Sequence, residues 1–543
     1  MNNLYTKRGE TLNGEYKTQY PRPQLKRDSF FSLDGTWQLE VENQNYNILV
    51  PFCPESLLSG IGKYFGETLL CYKKQFTLPQ GFVKDRVLLH FGAVDQVCTL
   101  LLNGREVGYH VGGYDPFWFD ITDYLQPVNE LTLLVTDSLN NHILPYGKQR
   151  EKRGGMWYTP VSGIWQSVWL ESVPETYIKS LKIDVTLNTA LIAFDGIETG
   201  TVTVEGATFP IENGVAEITI ETPKNWTPET PYLYEFTATA GEDTISSYFA
   251  LRTLAIKGNQ LLLNGNPYFF NGVLDQGYFS DGIYTPAHPS EYEDDILKMK
   301  SLGFNMLRKH IKVEPEAFYY YCDKHGMAVF QDMVNNGRYF FVRDTVLPTL
   351  RLTRKWDKFA HPNPASRQAF VEGMKKTVMG LYNHPCIVEW TIFNEGWGQF
   401  CANEMYHTLK EWDSSRFIDS ASGWFTAKEN DFTSLHIYFR KLKAKESKKP
   451  LFLSEFGGYS HKIKNHAFNP HKTYGYGKYE TREEFVKAFR DLYQKELLPL
   501  KEKGLCACVY TQLSDVEDET NGLITYDRKE MKLHPNETLD LWK

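Results

Sequence analysis

The chain has 543 residues, 42% of them hydrophobic, so about two to four domains with separate cores are expected. A net charge of −8 and the lack of a basic block argue against a nucleic-acid partner. No apolar run is long enough to cross a membrane, and the first residues lack the apolar segment of a secretory signal, so we expect no membrane partner and a cytoplasmic location.

Two β-sandwich domains are predicted in the first half of the chain. Residues 1–173 show short β-rich runs between turn signals, and the dipeptide Asn103-Gly104 is a strong hairpin signal. Little helical periodicity interrupts these runs, which favours an all-β sandwich. Residues 174–256 contain shorter runs that alternate at period two, such as Lys182–Leu187. Their spacing is typical of an immunoglobulin-like sandwich.

Residues 257–543 change to an alternation of strands and helices. The clearest helix is predicted over Glu484–Lys503, and only the link between strands five and six lacks a helical pattern. A (β/α)₈ barrel is therefore predicted. Its eight strand candidates are Tyr268–Val273, Asn305–His310, Met327–Met333, Cys386–Glu395, Arg416–Gly423, Phe432–Tyr438, Pro450–Gly457 and Leu505–Leu513.

The eight cysteines give no sign of a disulfide framework or a metal site. They lie singly or within apolar runs, and no closely spaced pairs of Cys or His suggest zinc. We expect reduced thiols buried in the cores, with no metal and no cofactor.

Two of the apolar strand candidates end in a carboxylate followed by glycine. Glu395 is the last residue of strand four and precedes Gly396, and Glu455 lies near the end of strand seven, two residues before Gly457. A parallel barrel places its chemistry at the C-terminal ends of its strands, so both carboxylates are expected at one mouth. Paired carboxylates of this kind cleave glycosidic bonds. Asn394 can offer an amide to a sugar hydroxyl, and Tyr438 can donate a hydrogen bond that keeps Glu455 ionised.

These segments resemble glycoside hydrolase family 2. Asn383–Glu395 is similar to the acid/base motif of that family, and Phe452–Gly457 is similar to its nucleophile strand. Leu33–Trp37, Gly112–Thr122 and Gly163–Leu170 resemble landmarks of its sugar-binding jelly-roll domain. The resemblance covers nearly the whole chain and implies the domain order jelly roll, immunoglobulin-like domain and barrel.

The resemblance also implies roles for individual residues. Glu395 would be the acid/base, Glu455 the nucleophile and Asn394 the ligand of the 2-hydroxyl group. Further positions that would line the site are His310, Asp332 and, where many members carry a tryptophan, Tyr510. His310 bracing the rim and Asp332 forming a rim ion pair are the open alternatives. Trp397 and Trp424 lie just beyond strand ends, where they either stack on substrate or pack under loops.

Departures from the family pattern bear on the sugar. After strand one the loop carries Asp275 and Tyr278, which either hold the terminal sugar or form a folded turn. β-Glucuronidases typically have an Asn-x-Lys motif after strand eight, whereas Glu519–Leu523 lacks the lysine. A uronate would then need another cationic clamp, for which Arg308 and Lys309 are the candidates.

The leading hypothesis is a retaining exo-β-glycosidase that removes a terminal sugar, with β-galactosidase as the best candidate. A β-uronidase, either β-galacturonidase or β-glucuronidase, is the alternative within the same class. The alternative of another class is a non-catalytic carbohydrate-binding protein. The expected partner is a glycoside or oligosaccharide, and the sandwich domains are compatible with a homo-oligomer interface.

Overall fold

The computed structural model describes residues 2–347, 357 and 361–542. Two β-rich domains precede a parallel β-barrel that carries helices between its strands. This architecture confirms the predicted fold class. Among the described residues, no helix has both the length and the apolar character that crossing a membrane requires.

The first domain packs two antiparallel sheets against each other. One sheet has the strand order β1-β12-β5-β9 and the other β3-β2-β4-β10-β7-β8. Period-two patterning explains the core: Leu131, Leu133 and Val135 of β10 are buried, while the residues between them are less so. The predicted hairpin at Asn103-Gly104 is confirmed, since both residues have positive φ and join β7 to β8. The strands are β1 Phe30–Ser32, β2 Gly35–Val41, β3 Gln44–Val50, β4 Leu70–Phe76, β5 Arg86–Phe91, β6 Val94–Asp95, β7 Val97–Leu102, β8 Arg105–Val111, β9 Phe117–Asp120, β10 Asn129–Thr136, β11 Gly163–Ile164 and β12 Val168–Val173.

The second domain is built on one antiparallel ladder with the order β13-β14-β17-β16-β15-β18-β19. Side chains from its first and last strands, such as Ile183 and Phe249, belong to the same hydrophobic core. Three short strands, β20 to β22, then lead into the barrel, and Leu261 of β21 packs against the barrel interior. The strands are β13 Ser180–Val185, β14 Thr189–Asp195, β15 Thr199–Val204, β16 Ala207–Glu212, β17 Val215–Thr219, β18 Tyr234–Ala240, β19 Asp243–Phe249, β20 Leu254–Lys257, β21 Gln260–Leu263 and β22 Asn266–Pro267.

All eight predicted barrel strands form, and they are parallel with the order β27-β26-β25-β24-β23-β32-β29-β28. The ladder is open between β27 and β28, at the connection where no helix was predicted. A side chain bridges this gap in part, because Asp431 Oδ2 accepts a hydrogen bond from Ile418 N at 2.9 Å. The strands are β23 Phe270–Asp275, β24 Met306–Lys309, β25 Ala328–Asp332, β26 Ile387–Thr391, β27 Phe417–Asp419, β28 Thr433–Ile437, β29 Leu451–Gly457 and β32 Leu505–Thr511, with β30 Tyr459–Ser460 and β31 Gly477–Lys478 as a separate pair.

Helices lie between most of the barrel strands. The helix predicted at Glu484–Lys503 begins earlier, at Arg482, because Thr481 and Glu484 form a reciprocal capping box. A π-helical turn at Tyr493–Leu497 interrupts it. The helices are α1 Ser290–Ser301, α2 Glu316–His325, α3 Pro364–Leu381, α4 Ala402–Trp412, α5 Arg482–Leu492 and α6 Leu498–Lys501.

Residues 137–162, here called the rim loop, run from the end of β10 in the first domain to the mouth of the barrel. Tyr146 N and Gly147 N both donate to Asn335 O, at 3.1 and 3.2 Å. Farther along, Arg153 Nη1 lies 3.0 Å from Glu517 Oε2. The first domain therefore contributes directly to the end of the barrel where the strand carboxyl termini meet.

Candidate active site

Glu395 and Glu455 meet at the mouth of the barrel. Glu455 lies within the C-terminal half of β29, and Glu395 follows the end of β26. The Glu395 side chain is 21% exposed and that of Glu455 is 7% exposed, so Glu395 is the more open of the two. Glu395 has φ 53°, a left-handed conformation that costs about 1 kcal/mol for a residue with a Cβ and is often found at functional sites.

His436 of β28 lies between the two carboxylates, and it was not among the residues predicted. Its Nδ1 is 2.8 Å from Glu395 Oε1, and its Nε2 is 3.7 Å from Glu455 Oε1. One oxygen of each glutamate and one ring nitrogen all fall within 4.8 Å of one another. The sequence held a signal for this residue: His436 precedes Tyr438 by two positions, so both side chains lie on the same face of a strand.

Glu455 is surrounded by donors and positive charge. Tyr438 donates its hydroxyl to Glu455 Oε2 at 2.6 Å, and Arg308 Nη1 donates to Oε1 at 3.3 Å. Burial alone would raise the pKa of Glu455, but the charges of His436, Arg308 and His310 and the Tyr438 hydrogen bond lower it to about 2. The carboxylate is therefore ionised throughout the neutral range.

Arg308 forms the floor of the site. Its guanidinium is fully buried and donates from Nε to Asp332 Oδ1 at 2.9 Å and from Nη2 to Asn394 Oδ1 at 3.0 Å. Because Arg308 occupies the carbonyl oxygen of Asn394, the amide NH₂ group is the end of that side chain left for a sugar hydroxyl. His310 Nδ1 lies 2.7 Å from Asp332 Oδ2, so the ring is oriented by the same network.

The structure places Arg308 and Lys309, the cations predicted as a uronate clamp, in buried ion pairs. Lys309 is fully buried and bound to Asp275 Oδ2 at 2.6 Å and to Glu314 Oε1 at 2.8 Å. Arg308 is likewise neutralised, by Asp332 and the nucleophile candidate. Both side chains are held in ion pairs inside the barrel, so neither has a charge left unpaired for a ligand.

Asp275 and Tyr278 form the folded turn rather than a sugar contact. Asp275 is bound to Lys309 and accepts a hydrogen bond from Gly277 N at 2.9 Å. Tyr278 is 2% exposed, packs its ring against Tyr158 and donates to the Tyr284 hydroxyl at 3.3 Å. Lys309 neutralises the carboxylate that was predicted to bind the terminal sugar, and these contacts favour the alternative of a folded turn.

The predicted aromatic platforms differ in placement. Tyr510 is fully buried and packs on Phe489 at a ring distance of 5.1 Å, so its ring offers no open face to a sugar. Trp397 packs under the rim loop, against Trp157, and donates from Nε1 to Gly337 O at 3.0 Å. Trp424 is half-buried with its ring 6.1 Å from that of His436, so it alone among the three lies beside Glu395 and Glu455 and is open to solvent.

A third carboxylate reaches the site from the segment that follows β32. Glu519 accepts hydrogen bonds from the Tyr158 hydroxyl at 3.1 Å and from Gln512 Nε2 at 2.8 Å. Burial raises the pKa of Glu519 to about 7; Lys148 opposes the shift and Glu455 adds to it. Tyr158 and Lys148 both come from the rim loop. Only tertiary structure brings them here, and the sequence carried no signal for either.

Glu395, His436 and Glu455 also have the convergence that a metal ion would require. Tyr438 and Arg308 already donate to both oxygens of Glu455. These donors occupy lone pairs of the Glu455 carboxylate and offset its charge, which leaves less of both for a cation. The set is therefore best described as a pair of carboxylates linked by an imidazole.

Models of three domain types match the chain. The family 2 glycosyl hydrolase TIM barrel domain matches residues 254–529, the sugar binding domain 61–174 and the middle domain 173–252. A β-galactosidase of Aeromonas hydrophila is 28% identical over 65% of this chain and 36% of its own length. A putative β-glucuronidase of Formosa agariphila is 23% identical over 74% of this chain and 51% of its own length.

The chain thus spans about half or less of the length of these curated relatives. Solved structures share its fold over nearly the full length. A β-D-glucuronidase of Dictyoglomus thermophilum has a TM-score of 0.77 at 18% identity, covering 96% of this chain and 98% of that one. A β-galacturonidase of Eisenbergiella tayi has a TM-score of 0.71 at 19% identity, covering 97% and 99%. Because the barrel model alone matches more than half of the residues, the chain belongs to family 2 of the glycosyl hydrolases.

Proposed function

We propose that the protein is a retaining exo-β-glycosidase in which Glu455 is the nucleophile and Glu395 the acid/base. The observation that carries this proposal is the approach of a Glu395 oxygen to within 4.8 Å of a Glu455 oxygen. Retaining enzymes hold their carboxyl groups about 5 Å apart, whereas inverting enzymes separate them by about 6.5–9.5 Å to admit a water.

The two steps follow from the surroundings of each carboxylate. Glu455, ionised and held by Tyr438 and Arg308, attacks the anomeric carbon while Glu395 donates a proton to the departing oxygen. Water then attacks the glycosyl-enzyme, and Glu395 removes its proton. Asn394 would bind the 2-hydroxyl, where contacts strengthen in the transition state.

A neutral terminal hexose, with galactose first, is the substrate that the site supports best. Glu519 adds a third carboxylate near Glu455, and a carboxylate accepts hydrogen bonds from hydroxyls but repels a uronate. Lys148, half-buried in the rim loop, contributes a hydrogen-bond donor on the side of the mouth where Glu519 lies. Together they offer one acceptor and one donor to neighbouring hydroxyls. The rim loop closes this side of the mouth, which favours cleavage from a chain end.

The alternative is a β-uronidase in which Lys148 meets the sugar carboxylate. The solved relatives named glucuronidase and galacturonidase motivate it, and Lys148 is the cation that acts on both His310 and Glu519. In this alternative Glu519 would have to bind its substrate in the protonated form, which its raised pKa permits below about pH 7.

A panel of p-nitrophenyl β-galactoside, β-glucoside, β-mannoside, β-glucuronide and β-galacturonide, with α-L-arabinosides, separates these proposals. We expect the β-galactoside to be cleaved, with the β-anomer as first product in proton NMR. Cleavage of a uronide alone would replace the first proposal with the second. A folded chain that binds sugars but cleaves none of the panel would favour the carbohydrate-binding alternative.

A further inference from the structure

Arg150 of the rim loop is a cation without a carboxylate. Within the described part of the chain, no hydrogen bond or ion pair forms at its guanidinium, although Arg153 three residues later is bound to Glu517 at 3.0 Å. Arg150 instead lies over the ring of Trp157 at 4.1 Å and near that of Tyr339 at 5.6 Å. A guanidinium stacked in this way keeps its in-plane donors free for an anion.

The contacts of rim-loop residues 148–150 show that the Arg150 side chain faces the barrel. Gln149 is 1% exposed and anchors the loop to its own domain. Its Nε2 donates to Asp95 Oδ2 at 2.8 Å, and its Oε1 accepts from Val161 N at 2.6 Å. Lys148 acts electrostatically on His310 and Glu519 of the barrel. Arg150 lies near the ring of Tyr339, which follows β25. Both side chains therefore face the barrel.

Ring contacts place Arg150 on the Glu395 side of the mouth. Trp157, under Arg150, lies 5.1 Å from the ring of Trp397, which is two residues after Glu395. Trp397 N also donates to Asn394 O at 3.2 Å, fixing this segment. Burial raises the pKa of Tyr339 to about 12, and the charge of Glu395 adds to this shift, so the Tyr339 hydroxyl lies within its field.

We propose that Arg150, Trp157 and Tyr339 form a leaving-group subsite that binds a ring-shaped aglycone carrying a carboxylate or sulfate. This inference rests on the proposed function, since it takes Glu395 as the group that protonates the departing oxygen. Tyr339, which is half-buried, supplies a flat apolar contact, and Trp157, which is 7% exposed, supports the guanidinium of Arg150 from beneath. Arg150 supplies a charge-assisted, bidentate contact to the oxyanion.

Two matched pairs of probes test the subsite on the full chain. The first pair is 4-carboxyphenyl and 4-carbamoylphenyl β-galactoside, compared by kcat/KM. The second pair is free 4-hydroxybenzoate and 4-hydroxybenzamide, whose binding is followed by tryptophan fluorescence and needs no turnover. The variants are Arg150→Met, which can still pack on Trp157, and the matched control Lys152→Met, which removes the same charge from an exposed position of the loop.

In Arg150→Met we expect kcat/KM for the carboxylate substrate to fall about tenfold more than for the carboxamide, since a charged hydrogen bond contributes about that factor. The two leaving groups differ in their intrinsic reactivity. This difference cancels when kcat/KM of the variant is divided by that of the wild type for each substrate and the two quotients are compared. Lys152→Met should keep the preference for the anion, and added salt should weaken it in the wild type.

Equal binding of the two free phenols by the wild type, or an unchanged preference in Arg150→Met, would overturn the subsite. If the anionic phenol binds preferentially and this preference needs Arg150, while neither galactoside is cleaved, the subsite stands and the proposed substrate fails. Binding of the free phenols therefore tests the leaving-group subsite independently of the proposed glycosidase activity.

Discussion

At the scale of residues, the main electrostatic feature of the site is that the Glu455 carboxylate is nearly buried and yet negatively charged. Desolvation opposes ionisation, and the donors around the carboxylate outweigh it: Tyr438 and Arg308 by direct contact, His436 and His310 by their charge. Because this pKa is lowered, the contribution of Glu455 to stability is present above its ordinary value near 4.3 and is lost as the pH falls toward about 2.

Replacing the nucleophile tests its assigned role. Glu455→Gln should lower kcat on p-nitrophenyl β-galactoside by about a thousandfold or more, because an amide cannot form the glycosyl-enzyme. The measurement is steady-state release of nitrophenol, with circular dichroism to show that the variant folds. Substantial residual activity would remove Glu455 from this role.

Replacing the acid/base should make the rate depend on the leaving group. In Glu395→Ala, kcat/KM for phenyl β-galactoside should fall about a hundredfold more than for the 2,4-dinitrophenyl analogue, which leaves without a proton. A series of substituted phenyl galactosides measures this slope. Equal losses across the series would point to another acid.

At the scale of elements, strand ends and one long loop assemble the site. His436 and Tyr438 come from the end of β28, and each contacts a different glutamate. The rim loop crosses from the first domain and donates the Tyr158 hydroxyl to Glu519. The segment after β32 thus contacts a loop distant in sequence, so we expect a change in the rim loop to alter the surroundings of Glu519 without changing the contacts of Glu395 and Glu455.

The pKa of Glu519 predicts a pH-dependent affinity for the sugar. Raised to about 7 by burial, this carboxyl group becomes a charged acceptor only as the pH rises through about 7. We expect KM for the β-galactoside to be higher at pH 6 than at pH 8, and Glu519→Gln to lose this dependence. Steady-state kinetics across this range provide the measurement.

Glu517→Gln is the matched control for this experiment. Glu517 lies two residues away and is bound to Arg153 and Thr159 N, so its variant should keep the dependence of KM on pH. If Glu519→Gln kept the same dependence as the wild type, another group would be responsible for it.

At the scale of the whole molecule, buried ion pairs join the two sandwich domains. Arg27 donates to Glu171 Oε2 at 3.0 Å and to Asp243 Oδ2 at 2.9 Å, with all three side chains at most 3% exposed. Arg22 adds a second contact to Glu171 at 2.6 Å. After the cost of burial, the arginines hold the pKa of Glu171 well below its usual range. Its contribution to stability is therefore present at neutral pH and is lost in acid as the pH falls through that depressed pKa.

Removing Arg27 should destabilise the chain markedly. Arg27→Met leaves Asp243 without its cation in a buried site, which costs about 3–5 kcal/mol in free energy of unfolding. We expect a clear fall in the midpoint of thermal unfolding measured by calorimetry. Lys73→Met removes a partner of Glu40 from an exposed pair and should change the free energy of unfolding by less than about 1 kcal/mol. Similar midpoints for the two variants would show that the network does not support the domain junction.

The sequence by itself determined the order of the domains, the eight barrel strands and the position of the two glutamates at strand ends. These are local properties: the alternation of apolar residues sets each strand, and Glu395 and Glu455 follow from where apolar runs stop. The family resemblance on the same motifs agrees with that order of domains.

Only the tertiary structure decided which charged groups line the mouth of the barrel and which are paired inside it. Arg308 and Lys309 look like a clamp in sequence, but partners far along the chain neutralise both. Lys148 and Arg150, which carried no motif, lie at the mouth because the rim loop, held to the first domain through Gln149, reaches the barrel. Whether a buried charge is paired depends on contacts between distant segments, and local periodicity carries no information about those contacts.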